Sequence, residues 1–258
     1  WQEKLGGKMY TYHKLYDGKI TIKFDEEAHK YYVNGNEYFS ATTLIGQGCV
    51  KPGLERWKRI TPMIEYKKKL NKVLDDNEQL DRVKLERLYK ESMCHTDNVS
   101  DDASLVGTVV HGLVEDFING KEIPNQSDPA VVNCWNLFLD WWNQQSYKVV
   151  DIEKKLFSKK YGYVGTLDLV VKNDKGEFVL IDLKTSNQIV FGYVLQANAY
   201  KQAYEEETGR KISSCFCLRI GKKDTKVEIA PIPLNKKLFN TFLGVKMIVE
   251  QRESSKYK

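Results

Sequence analysis

The segment YVGTLDLVVKNDKGEFVLIDLKT, residues 163 to 185, holds two apolar runs of strand character separated by Asp174-Lys175-Gly176, and each run carries one aspartate, Asp168 or Asp182. Gly176 supplies the left-handed residue that a three-residue hairpin loop requires. With that loop Asn173 opposes Glu177, and counting back along both strands sets Asp168 directly opposite Asp182. Directly opposed residues share a face of the sheet about 5 Å apart. Lys184 follows Asp182 by two positions, so period-two alternation puts it on that face as well. Two carboxylates so close repel unless a cation lies between them, and hard oxygen ligands favour Mg²⁺ or Mn²⁺ over zinc. A plain ion cluster, with Lys184 neutralising both aspartates, satisfies the same spacing.

Working outward, "VVDIEKKLF" precedes the hairpin as a further strand candidate, and "SCFCLRI" and "KVEIAPI" follow it. Between them "QIVFGYVLQANAYKQAYEEETG" reads as a long helix stopped by Gly209. Upstream, "ASLVGTVVHGLVEDFIN" is an amphipathic helix, "DPAVVNCWNLFLDWWNQQ" is a second with Asp128 as N-cap and Pro129 at its first position, and residues 235 to 252 close the chain with another. Helix, antiparallel strands, helix, strand is the order of an α/β fold with a mixed sheet. Near the amino end "KITIKF" and "KYYVNGNEYF" read as strands, the latter a hairpin through Asn34-Gly35. Residues 53 to 94 are helical in character, interrupted near Pro62 and again at 75 to 78, and suit an appended cap. The expected division is a β-hairpin and helical clamp over 1–100 and a catalytic core over 101–258.

Composition sets bounds on this reading. A chain of 258 residues with 41% hydrophobic content can bury a substantial core. No run approaches the roughly 20 apolar residues of a membrane span, so no membrane partner is expected. The expected location is intracellular and cytoplasmic, with organelle targeting left open because the chain begins at Trp1 rather than Met. Five cysteines form no CxxC pair, which argues for reduced, packed thiols. A net charge of +5 is too mild to prove a nucleic-acid partner, but basic residues gather around Trp57, in Arg56, Lys58 and Arg59. An aromatic ring beside cations fits stacking on unpaired bases with phosphate contact, and it fits a helix anchored to a core equally well.

On the helix of residues 103 to 119, His111 and Glu115 lie four apart and share one face; on the helix after the lysine strand, Gln196 and Tyr200 do the same. A histidine in a helix, then GTLD, then DLK followed by Thr185-Ser186, then QANAY, forms a series that resembles the RecB-like exonucleases of the PD-(D/E)XK nuclease superfamily over about residues 103 to 220. "FSATTLIGQG" followed by "LERWK" is similar to a region of the family that includes the mitochondrial genome maintenance exonuclease and phage-encoded relatives. The resemblance implies a restriction-endonuclease-like core: a central mixed β-sheet flanked by helices, with the N-terminal hairpin and helical cap added. It implies His111, Asp168, Asp182 and the Leu183 carbonyl as ligands of Mg²⁺ or Mn²⁺, Lys184 as the catalytic lysine, and Glu153 and Glu115 as supporting acids. Gln196, Tyr200, Thr185 and Ser186 are then expected at the DNA strand, and Arg56, Trp57, Lys58 and Arg59 on a clamp. Some relatives bind an iron-sulfur cluster through four cysteines; only Cys215 and Cys217 lie close together downstream here, so no cluster is expected. The implied activity is a metal-dependent DNA exonuclease acting on single-stranded ends in replication, repair or recombination, with a replication or recombination protein as a conceivable partner. A structure-specific endonuclease and an inactive DNA-binding recombination module are the alternatives. Polarity of digestion and oligomeric state are not legible.

Overall fold

The computed structural model describes residues 2–5, 8–50, 52–76 and 78–255; Lys51 of the basic stretch and Asn77 of the acidic one lie outside the described residues. Among the described residues, two five-stranded sheets and six α-helices make a mixed α/β fold, the class expected from the sequence. Two compact units are present, one formed by the residues up to Cys49 with those from Val110 onward, the other by Val50–Val109.

The first sheet is an antiparallel meander of β1 (Gln2–Leu5), β2 (Lys8–Leu15), β3 (Ile20–Asp25), β4 (Lys30–Val33) and β5 (Asn36–Tyr38). The element read from sequence as a hairpin is therefore larger. Its β4–β5 turn has Asn34 and Gly35 at φ 51° and 81°, the left-handed pair that a tight two-residue hairpin demands. Ile22, Phe24, Tyr31 and Val33 of this sheet pack with Phe157 and Val164 of the second.

The second sheet has the order β10-β9-β8-β7-β6, from β6 (Lys148–Ser158), β7 (Tyr163–Lys172), β8 (Phe178–Lys184), β9 (Ile212–Arg219) and β10 (Glu228–Pro231). Only β8 and β9 pair in parallel, joined by the crossover helix α5 (Phe191–Thr208); the other neighbours are antiparallel. A parallel pair requires such a crossover, because a tight turn returns the chain antiparallel. Gly209 ends α5 in the left-handed conformation, φ 70°. With α1 (Ala41–Gly48) and α6 (Lys236–Ser254), α5 buries Leu195, Ala199, Tyr204, Phe239 and Phe242 in the main core. On the other side α4 (Pro129–Trp142) opens with Asp128 accepting from the Ala130 N–H and sets Trp141 edge-on to Phe216 of β9.

The second unit contains α2 (Pro52–Asp75) and the first part of α3 (Arg82–Ile118). The sequence boundary at residue 100 falls inside α3. An edge contact of Tyr66 with Tyr89 and a 3.0 Å ion pair of Lys69 with Glu91 join the two helices. The expected interruption at Pro62 is a correction: α2 runs through it. A proline removes one backbone hydrogen bond and strains one turn, but a 24-residue helix keeps its remaining bonds, and Pro62 itself is buried. The expected break in the acidic segment is present, between Asp75 and Arg82.

Candidate metal and nucleic-acid site

The β7–β8 hairpin pairs Leu169 with Ile181, Val170 with Leu180 and Lys172 with Phe178, while the Asn173 N–H donates to the Glu177 carbonyl. Gly176 has φ 77° in the loop between. One further step along this register puts Asp168 opposite Asp182. There the two strands part, and Asp168 Oδ2 accepts from the Leu183 N–H at 2.7 Å.

The neighbouring pair of strands departs from regular alternation at the same point. β6 and β7 keep one register from Asp151↔Val170 onward, yet the ladder skips Glu153 and Asp168, which lie between Ile152↔Leu169 and Lys154↔Leu167. Glu153 has φ 44°, uncommon for any residue with a side chain. Alternation changes phase across it. Asp151 accepts from the Tyr204 hydroxyl of α5 and Lys154 pairs with Glu207 of α5, although they are three residues apart; on β7, Leu167 and Val170 both join the α5 core. Strict period-two alternation would send such residues to opposite faces. Each strand thus inserts one residue out of phase, and on both strands that residue carries a carboxylate.

The result is convergence. His111 on α3 brings Nδ1 to 3.2 Å from Glu153 Oε1 and 3.8 Å from Asp168 Oδ1, and donates through Nε2 to the Leu183 carbonyl at 3.1 Å. Ligand atoms of His111, Glu153 and Asp168 all lie within 4.8 Å of one another. They line a void of about 10 Å³ with Val114, Phe138 and Ile152, room for one water-sized occupant. Burial alone would lower the His111 pKa, but Asp168 and the hydrogen bond to Glu153 outweigh it and raise the value. Glu115, one turn further along α3, has its carboxyl raised by burial and then by Glu153.

Asp182 is 2% exposed. Its Oδ1 accepts from Lys184 Nζ at 2.7 Å, and its Oδ2 has no hydrogen-bond partner among the described residues. Burial pushes its carboxyl up to about 6, against the pull of Lys184. Burial would lower the Lys184 pKa, but Asp168 at 3.5 Å and Asp182 together hold it well above the ordinary lysine value. The ammonium also donates to the Leu183 carbonyl at 3.1 Å and lies 5.2 Å from the ring centroid of Tyr193. Two carboxylates and one imidazole whose ligand atoms lie within 4.8 Å of one another suit a divalent cation.

Gln196 and Tyr200 are 7% and 3% exposed, and Gln196 donates to the Tyr200 hydroxyl at 3.1 Å. They face inward, toward β7 and Lys184, rather than outward. Thr185 is buried, and Ser186 donates to the Gln188 carbonyl. On α2, Arg56, Lys58 and Arg59 are exposed and Trp57 is half-buried. Cys215 and Cys217 are buried in β9. Two contributors escaped the sequence reading. One is Gly165, where a Cβ would stand 2.5 Å from Tyr200 Cε1, so the glycine of GTLD admits the tyrosine ring. The other is Tyr193, whose ring lies beside Lys184 and which no motif in the sequence marks.

No family model matches the chain. An uncharacterized protein of Ureaplasma parvum serovar 3 is 29% identical over 97 residues, which is 36% of this chain and 46% of that protein. Among solved structures, a protein of Eubacterium rectale named "Putative exonuclease" shares 13% identity at a TM-score of 0.40, over 57% of this chain and 65% of that one. A protein named SSO0001 shares 15% identity at a TM-score of 0.36, over 75% and 86%. The chain thus spans less than two thirds of the Ureaplasma and Eubacterium proteins. No helix among the described residues is long and apolar enough to cross a membrane.

Proposed function

We propose that the chain is a divalent-metal-dependent deoxyribonuclease, hydrolysing phosphodiester bonds from single-stranded ends in replication, repair or recombination. The observation that supports this reading is the meeting of ligand atoms of His111, Glu153 and Asp168 within 4.8 Å of one another, with Lys184 held by Asp168 and Asp182. Bound there, Mg²⁺ or Mn²⁺ supplies a Lewis acid for the phosphate and acidifies a water. His111, Glu153 and Asp168 would hold it through their side chains, and Asp182 and the Leu183 carbonyl are the further ligands that the motif series implies.

The chain's own groups do the rest. Lys184, kept protonated by its two carboxylates, orients the attacking water and faces the charge that develops on the phosphate. Asp168 is held by the Leu183 N–H, and Glu115 supports the acidic cluster from α3. Gln196 and Tyr200, buried on α5, stiffen the wall beside the lysine. Thr185 and Ser186, just past the end of β8, are the further contacts proposed for the DNA strand. Arg56, Trp57, Lys58 and Arg59 give the helical segment cations and a ring for an unpaired strand.

End-labelled single- and double-stranded oligonucleotides incubated with Mg²⁺, Mn²⁺ or EDTA test the reading. Shortening of the single strand that EDTA abolishes is expected. Cutting of a circular single strand transfers the reading to an endonuclease, and no cutting with either metal leaves a binding module.

A further inference from the structure

Lys155 lies two residues past Glu153 on β6, opposite Thr166 of β7, just beyond the change of phase. The carboxylate of the cluster that acts on Lys155 most is Glu153, two residues back on the same strand. The next residue back, Lys154, points to α5 and pairs with Glu207 at 3.1 Å. Lys155 points the other way. Its Nζ stands 4.8 Å from the ring centroid of Phe24, and Thr166 opposite it shares a 3.0 Å hydrogen bond with the Tyr31 hydroxyl. Among the described residues it makes no ion pair with a carboxylate, although it is half-buried. A π face offsets part of the cost of withdrawing an ammonium from water, but an anion offsets far more. Glu153, Glu26 and Glu115 act on Lys155 only from beyond ion-pair range.

The strand order β8-β7-β6 puts Lys184 on one side of Asp168 and Lys155 on the other. Lys184 is committed to Asp168 and Asp182; Lys155 is not committed. We propose that Lys155 is a second phosphate-binding cation of the centre, taking a non-bridging oxygen of the phosphate next to the scissile one. A backbone reaching the acidic cluster would then meet Lys184 on the α5 side and Lys155 on the side of Phe24. This rests on the nuclease reading and assigns a substrate contact that the motif series does not contain.

Lys155→Met keeps the apolar stem against Phe24 and removes the charge; Lys155→Arg restores it. Binding of a fluorescent single-stranded oligonucleotide in EDTA is measured by anisotropy across a KCl series, with KM and kcat measured in Mn²⁺. Lys155→Met is expected to weaken binding about fivefold or more at low salt and to flatten the slope of log K against log[KCl] by about 0.7, the value for one phosphate of a single strand. KM rises by a similar factor while kcat holds within about threefold, and Lys155→Arg recovers both the slope and KM. A merely structural lysine would leave the slope untouched. If wild-type protein cleaves DNA and Lys155→Met keeps its slope and KM, the assignment to Lys155 is wrong and the nuclease reading stands. If wild-type protein neither cleaves DNA with either metal nor binds it in a salt-dependent way, the nuclease reading fails and this contact fails with it.

Discussion

Gly165→Ala tests the close packing of β7 against the Tyr200 ring. The added Cβ would stand 2.5 Å from Tyr200 Cε1, 3.2 Å from Cδ1 and 3.4 Å from Cζ. Tyr200 is 3% exposed and its hydroxyl is tied to Gln196, so the ring has little freedom to retreat. Overpacking of this kind costs about 1–3 kcal/mol, and a rigid buried ring belongs in the upper part of that range. Loss of glycine's freedom in the unfolded chain returns about 0.4–1 kcal/mol. The net expectation is about 1–2.5 kcal/mol of destabilisation. With an unfolding entropy of about 2.1 cal/mol/K per residue, 258 residues give about 0.5 kcal/mol per kelvin, so the melting temperature should fall by about 2–5 °C. Urea unfolding of wild type, Gly165→Ala, Tyr200→Ala and the double variant closes a thermodynamic cycle. With the ring removed the clash is absent, and Gly165→Ala should then be neutral or slightly stabilising. Equal costs in both backgrounds, or no cost in the presence of Tyr200, would refute the close-approach argument.

Mn²⁺ at a hundred times its Kd should add about 2.7 kcal/mol to the unfolding free energy, a rise of about 5 °C in scanning calorimetry for a chain of this size. His111→Ala combined with Asp168→Asn should lose that rise, and its survival would place the ion elsewhere. Lys184→Met strands Asp182 and Asp168 without their cation, so the metal-free protein should lose about 3–5 kcal/mol and cleavage should fall by about 100-fold or more. An unchanged melting curve with unchanged cleavage would reduce Lys184 to a bystander. Asp128→Ala removes the N-cap of α4 and should cost about 1 kcal/mol in urea unfolding, leaving DNA cleavage intact. Trp57→Ala should lower affinity for single-stranded DNA by about 1–3 kcal/mol with little change in melting, whereas a large fall in melting with unchanged affinity identifies a core anchor.

The parts of the fold that were legible are those fixed by neighbours in sequence. Asn34-Gly35, Gly176, Asp128-Pro129 and Gly209 each demand a particular local conformation, and each is found at the turn or helix end expected of it. The hairpin register followed from one glycine in a three-residue loop, and through it Asp168 and Asp182 were brought together on paper. Pro62 misled because the rule it obeys is local, while the cost is shared by a long helix and by burial. The first two strands were missed although Asp17-Gly18, with φ 56° and 84°, is a turn pair of the same kind as Asn34-Gly35 and joins the eight-residue β2 to β3.

Glu153 was named only through the family resemblance, because its place in the pleat was illegible. Alternation read from sequence presumes an unbroken pleat, and under it Lys154 and Asp151 belong on opposite faces, as do Leu167 and Val170. The structure puts each pair on one face, which is possible only if one residue between them is spent out of phase. The residues spent are Glu153 and Asp168. A left-handed φ of 44° at a glutamate has a cost of about 1–3 kcal/mol, and a flat strand would have avoided it. What the flat strand could not do is turn Glu153 and Asp168 toward His111 while Lys154, Leu156 and Leu167 still pack against α5. Two demands on one pair of strands, a core on one side and a cluster of ligands at one level, are met by shifting the phase of both strands at that level. The irregularity therefore belongs to the site, and a variant that restored regular alternation there would be expected to gain stability and lose the ion.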